Sequence, residues 1–138
     1  MDRREYDEYL AMYNAGEYRQ MAERFFDRNI RFIVRGTITA DGYEETIESL
    51  EKYHATVREI LTVESFEADT DGTRIHVHLV ERSEATGDSK SFAAPSLRAG
   101  DTRADELEVD YTLENGKFTE INITALRNIE LSRARGAA

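Results

Sequence analysis

The sequence predicts an α+β fold, with helices from the first part of the chain packed on one face of an antiparallel sheet. Three observations predict it. Apolar and polar residues alternate along the second half: Ile75, Val77 and Leu79 with Arg74, His76 and His78; Leu107, Val109, Tyr111 and Leu113 with Glu106, Glu108, Asp110 and Thr112; Ile121, Ile123 and Ala125 with Glu120, Asn122 and Thr124. That period belongs to strands with one apolar and one polar face, a sheet half-covered by helices. Asp71-Gly72 and Asn115-Gly116 suit two-residue hairpin turns, because Asp, Asn and Gly tolerate the positive φ such turns need. Ahead of these strands, apolar residues recur at helical spacing.

Taken in order, residues 2–15 read as a first helix, with Asp2 as cap, Glu5 in capping-box position, and Tyr6, Tyr9, Leu10 and Tyr13 on one face. Gly16 ends it. A short second helix runs from Glu17 to Phe26, with Tyr18, Met21, Ala22 and Phe25 inward, and Asp27-Arg28-Asn29 breaks it. Ile30, Phe32 and Val34 mark a first strand, and Gly36–Ala40 a loop or short extra strand. Asp41 then caps a third helix whose apolar stripe is Ile47, Leu50, His54 and Val57. Arg58–Ala68 and Thr73–Glu84 are strands around the first hairpin. Ala85–Ala104 is rich in Gly, Ser, Asp and Ala and holds the single proline, Pro95; it reads either as a long hairpin tip whose middle, Phe92–Leu97, folds back as a lid or as a disordered loop. Residues 1–131 are expected to form one domain and residues 132–138 a frayed tail.

Composition narrows the function classes. With 40% hydrophobic and 33% charged residues the chain is globular in character. A formal net charge of -10 repels phosphate backbones and anionic lipid, so neither nucleic acid nor a membrane surface is an expected partner. Without cysteine there is no thiolate nucleophile, disulfide or Cys-ligated zinc. The charged start, Met1-Asp2-Arg3-Arg4-Glu5, leads into no apolar run, and the expected location is the cytoplasm.

The element order, the stretch from Tyr9 to Gly16-Glu17, the run Phe25–Val34 and the helix over Gly42–Val57 followed by long strands together resemble the nuclear transport factor 2-like superfamily, in its SnoaL-like branch. The resemblance covers about residues 2–130. It implies a curved antiparallel sheet wrapped around three helices, a cone-shaped pocket between them, and a homodimer formed through the sheet face. It also implies chemistry of the isomerase, lyase or cyclase kind on a small, largely apolar molecule, by proton transfer and without a cofactor. Because this superfamily also holds proteins without catalysis, a ligand-binding or protein-interaction module is the alternative.

Tyr9 lies at the position where ketosteroid isomerases of this superfamily place an oxyanion-stabilising phenol. Those isomerases also use two acids, and the matching positions here fall on Val34 (or Ile33) and Val109. His54 sits on the apolar stripe of the third helix, near the position of a catalytic histidine in the dehydratase branch, and is the acid/base candidate, with Tyr9 or Tyr13 as hydrogen-bond donor. The expected pocket lining is Tyr6, Phe32, Val34, Leu50, Tyr53, Val57, Val77, Val109 and Tyr111. His76-x-His78 has a spacing that can chelate a metal. Its side chains belong to the polar face, so cross-strand pairing with Glu108 and Asp110 is expected there and no metal.

Overall fold

The first helix begins where Asp2 accepts the Glu5 backbone N–H at 2.8 Å, and Glu5 reaches back to the Asp2 N–H at 3.4 Å. This reciprocal cap satisfies two otherwise orphaned donors. The computed structural model describes residues 1–90 and 95–134. Helix α1 (Arg3–Asn14) buries Tyr6, Tyr9 and Leu10; Gly16, at φ 76°, lets the chain turn into α2 (Tyr18–Phe25). Strand β1 (Phe26–Val34) follows with no intervening loop. The helix thus ends just ahead of Asp27–Asn29, as expected, but these residues are strand and not a separate loop. Asp27 accepts the Asn29 N–H at 2.9 Å, and this local turn is absorbed as an irregularity in the strand, whose pairing shifts between Phe26 and Arg31.

A tight turn at Arg35-Gly36, both at positive φ, returns the chain as β2 (Thr37–Asp41). Helix α3 (Tyr43–His54) is preceded by Gly42 at φ 101°. Asp41 does not cap it; it ends β2 and faces Arg31 at 3.5 Å. The remaining strands are β3 (Val57–Ala68), β4 (Arg74–Ala85), β5 (Thr102–Glu114) and β6 (Lys117–Ser132). The six strands make one open, curved sheet in the order β2-β1-β6-β5-β4-β3. It is mixed, not purely antiparallel: β1 pairs with β6 in parallel. The meander leaves one edge of β6 free, and β1, delivered by α2, fills it.

Asn115-Gly116, at φ 52° and 78°, forms the expected two-residue turn. The β3–β4 connection is longer than expected. Gly72 alone is at positive φ there, and the Asp69 carboxylate closes the loop by accepting from the N–H groups of Thr73 at 3.0 Å and Arg74 at 3.3 Å. Beyond β4, Ser89 and Leu97 pair as an isolated bridge, and Leu97 is buried. Of the expected lid, Phe92–Ala94 lie outside the described residues. Ser132 belongs to β6, while the Arg133 side chain and the Ala134 N–H bind Asp101 at 2.7 and 2.8 Å, so these three residues are held and not frayed. Residues 135–138 lie outside the described residues.

The helices cover the apolar face of the sheet. Tyr6, Tyr9, Phe25, Phe26, Phe118 and Tyr111 are buried together with Ile75, Val77, Leu79, Leu107 and Val109. His76 is on the opposite face, 2.5 Å from Asp110 and 3.7 Å from Glu108. Among the described residues no group of His, Asp and Glu is arranged to hold a metal ion.

Candidate functional site

The alternation that buries one face of the sheet continues past its apolar residues. On β3 the inward series is Val57, Glu59, Leu61; on β4 it runs Ile75, Val77, Leu79, Glu81, Ser83; on β5 it runs Arg103, Asp105, Leu107, Val109, Tyr111. In register, Leu61, Glu81 and Asp105 lie side by side, as do Glu59, Ser83 and Arg103. The inner face is thus apolar toward one end of the strands and polar toward the other.

Between this face and α1 and α3 lies a cavity of about 100 Å³. For scale, an apolar cavity of about 150 Å³ takes up benzene, so this one suits a single small ring. Its walls are Tyr9, Tyr13, Phe32, Val34, Ser49, Leu50, Tyr53, Leu61, Leu79, Leu107, Val109, Tyr111, Ile121, Ile123 and Leu126, with Glu59 and Glu81 at the polar end. A side recess of about 40 Å³ shares Tyr9, Tyr13, Phe32, Ser49, Leu50 and Ile121 with it and adds Phe26 and Thr46.

Of the residues singled out in the sequence, Tyr9, Tyr13, Phe32, Val34, Leu50, Tyr53, Val109 and Tyr111 line the cavity. Tyr6, Val57 and Val77 do not. Tyr6 is fully buried behind the wall with its hydroxyl 2.7 Å from that of Tyr111, Val57 belongs to β3 and not to α3, and Val77 lies deeper in the apolar core. His54 also stands behind the wall. Tyr18 stacks on its ring at 4.8 Å, and Tyr13 and Tyr53 meet it edge-on. The hydroxyl of Tyr9 is pushed well above its ordinary value by burial and then by the neighbouring Tyr111, so it remains a phenol.

The polar end has a definite proton arrangement. His54 Nδ1 is 2.6 Å from the Leu50 carbonyl oxygen. A carbonyl only accepts, so Nδ1 carries a proton. The other nitrogen, Nε2, is 3.1 Å from Glu59 Oε1. One proton must lie in that contact, on Glu59 if the imidazole is neutral or on Nε2 if it is charged. Burial lowers the pKa of His54 and raises that of Glu59, and both effects favour the neutral pair. The Tyr13 hydroxyl donates to the same Glu59 oxygen. Glu81 is pushed well above the usual carboxylate range by burial and then by the neighbouring Glu59, and the Ser83 hydroxyl donates to it at 3.3 Å.

Two further interactions hold this end together. Arg103 donates to Asp105 at 2.7 Å, to the Tyr53 hydroxyl at 3.1 Å and to the Pro95 carbonyl, and lies 3.6 Å from Glu81. Since Tyr53 accepts from a guanidinium, its own proton is available to the cavity it lines. Tyr13 is fixed from α1. The Asn14 side chain donates to Leu61 O and accepts from Leu61 N, both at 2.9 Å, and so acts as a short strand partner for the free edge of β3.

Sequence reasoning missed Glu59, Glu81, Arg103 and Asp105. The signal was present: each is a charged residue in phase with buried apolar neighbours, where alternation calls for another apolar side chain.

No family model and no curated protein matches the sequence. Solved structures do match. A SnoaL-like polyketide cyclase from Agrobacterium tumefaciens is 20% identical, with 88% of this chain and 87% of that one covered and a TM-score of 0.69. A computationally designed 17-OHP binder is 15% identical, with 83% and 85% covered and a TM-score of 0.67. An LEH-like epoxide hydrolase from Mycobacterium tuberculosis is 10% identical, with 86% and 77% covered and a TM-score of 0.66. At these identities the likeness is one of fold, and it agrees with the element order and the curved mixed sheet described above: the chain has the fold of these structures, the SnoaL-like polyketide cyclase among them.

Proposed function

We propose that the protein is a proton-transfer enzyme of the isomerase, lyase or cyclase kind, acting without a cofactor on a small, largely apolar carbonyl compound. The observation that carries this reading is the Glu59 carboxyl at the cavity wall, held between the Tyr13 hydroxyl and His54 Nε2 while His54 Nδ1 is committed to the Leu50 carbonyl. Moving the shared proton from Glu59 to His54 leaves a carboxylate facing the cavity and creates no net charge. That carboxylate takes a proton from the carbon next to the substrate carbonyl, and the Tyr53 hydroxyl, polarised by Arg103, donates to the enolate oxygen as charge develops there. Returning the proton to a different carbon isomerises the substrate; attack of the enolate on a second carbonyl closes a ring.

In this reading His54 is a positioning residue and proton reservoir, and Glu59 takes the role at first expected of it. Neighbours of the same fold are described as a polyketide cyclase and an LEH-like epoxide hydrolase, which supports the substrate class. Val34 and Val109 line the cavity as aliphatic side chains, so the proton carriers lie on β3 and β4 instead of at the isomerase positions. A single domain that includes Ser132 and the Asp101-bound Arg133 and Ala134, a homodimer through the outer sheet face and a cytoplasmic location complete the proposal; Ile60, half-exposed on that face, supports the dimer.

Exchange of the α-protons of cyclopentanone in D2O, followed by NMR, tests the chemistry with a probe small enough for the cavity. Wild-type protein should accelerate exchange above buffer, and Glu59→Gln, which keeps the shape and a donor for His54, should reduce the protein's contribution by about 10²–10⁴-fold. Equal exchange by the two proteins would reject Glu59 as the proton carrier. Binding of cyclopentanone with no exchange in wild type would favour the non-catalytic module, to which the two valines also point.

A further inference from the structure

The charge balance around the cavity specifies more about its occupant than size does. Among the described residues every charged side chain that lines the cavity is acidic, Glu59 and Glu81, and the rest of the wall is tyrosine, phenylalanine, serine and aliphatic residues. Behind the wall the bases are His54 and Arg103, and the third acid is Asp105, bonded to Arg103 at 2.7 Å and to Asn128 at 2.9 Å. Three buried acids thus face two buried bases, and the bases are already engaged: Arg103 is shared between Asp105 at 2.7 Å and Glu81 at 3.6 Å while it donates to Tyr53 and Pro95, and His54 is held by Leu50 and Glu59; the Ser83 hydroxyl also donates to Glu81 at 3.3 Å, but brings no charge.

Buried charge is costly unless it is paired, so in the empty cavity the surplus acid keeps its proton. Hydrogen bonding requires the same count. Glu59 meets His54 Nε2 at 3.1 Å, and that contact takes one proton, which leaves Glu81 to hold its own. One side of this cluster is open to a ligand: the cavity itself. A cation placed there beside Glu81 would replace the Glu81 proton, and Tyr53 and Tyr13 would offer it the faces of aromatic rings. An anion placed there would meet two acids and no unengaged base among the described residues.

We propose that the natural ligand of this cavity carries a protonated amine that pairs with Glu81. The inference rests on the reading of this cavity as the ligand site, and it narrows the substrate to small ring or branched molecules with a basic nitrogen as well as the reacting group. Glu81 then anchors the ligand, and Glu59 remains the proton carrier.

The test is a binding comparison on the whole chain with three probes of one shape: cyclopentylamine, cyclopentanol and cyclopentanecarboxylate, titrated at neutral pH by calorimetry or NMR. The amine should bind at least about tenfold more tightly than the alcohol, and the carboxylate more weakly than either. In Glu81→Gln the preference for amine over alcohol should fall to about twofold or less, with the alcohol affinity retained. An alcohol that binds as tightly as the amine in wild type overturns the proposal, and that comparison needs no variant to fold. A preference that survives unchanged in folded Glu81→Gln overturns it as well. Failure here is distinct from failure of the proposed chemistry, which is read by exchange in cyclopentanone and by Glu59→Gln.

Discussion

Asn14 offers the clearest test of how the fold builds the site, because its side chain does the work of a strand. Its amide gives two hydrogen bonds of 2.9 Å to the backbone of Leu61, on the edge of the sheet and next to the buried Leu61 side chain. Replacing it with alanine removes both partners. Each bond contributes about 1 kcal/mol net, rising toward about 2 kcal/mol where water cannot reach the freed group, so Asn14→Ala should cost roughly 2–3 kcal/mol. For a chain of this size about 1 kcal/mol moves Tm by roughly 4 °C, which gives a fall of about 8–12 °C in calorimetry. Asn14→Asp keeps the acceptor and loses the donor, so it should fall between alanine and wild type. The functional consequence follows from chain position. Tyr13 precedes Asn14 and donates to Glu59, so loosening the end of α1 should slow exchange in the folded Asn14→Ala protein even though Asn14 touches no ligand. A Tm within about 1 °C of wild type would refute this account of the β3 edge.

Three other outcomes follow from particular contacts. Glu81 has a folded-state pKa raised by burial, so the native protein holds its proton more tightly than the unfolded chain does; wild-type stability should therefore decline as pH rises from the ordinary carboxylate range through that raised value, and Glu81→Gln should flatten the decline in denaturant titrations. Asp101 behaves in the opposite sense. The N–H groups of Arg98 and Ala134, with the Arg133 side chain, lower its pKa to about 2, so its contribution is complete above the ordinary value of about 3.9 and fades as pH falls toward about 2; Asp101→Asn should lower the urea midpoint at neutral pH and narrow its gap from wild type in acid. Tyr111→Phe removes the 2.7 Å bond to the Tyr6 hydroxyl in a buried layer and should cost about 1–3 kcal/mol by urea titration, with the cavity retained.

Much of the architecture was legible in the sequence because strand alternation and turn chemistry are local. Leu107 to Leu113 and Ile121 to Ile123 announced their faces, and Asn115-Gly116 announced its turn. The pairing of β1 with β6 was not legible, since residues about ninety positions apart choose each other through the packing of helices between them. Asp41 had the chemistry of a cap but was already engaged at the end of a strand. Part of the cavity wall followed from periodicity, with Tyr9, Tyr13 and Leu50 placed by helical spacing. The carboxyl cluster was hidden by the habit of assigning acids to the solvent side. Glu59 and Glu81 keep the phase of Val57 and Leu79, and Arg103 and Asp105 keep that of Leu107, so phase outweighed polarity. Arg103 was masked further by its place at the end of the Gly- and Ser-rich segment Ala85–Ala104, whose composition suggested loop where β5 had already begun. Asn14 left no trace in the pattern, because a side chain acting as backbone has no period.

The central claim is that buried acids at the cavity hold protons at neutral pH. The most direct measurement is an infrared difference spectrum of wild type against Glu59→Gln at neutral pH. A protonated-carboxyl carbonyl band present in wild type and diminished in the variant is the predicted result. A wild-type spectrum with carboxylate bands alone would contradict the account.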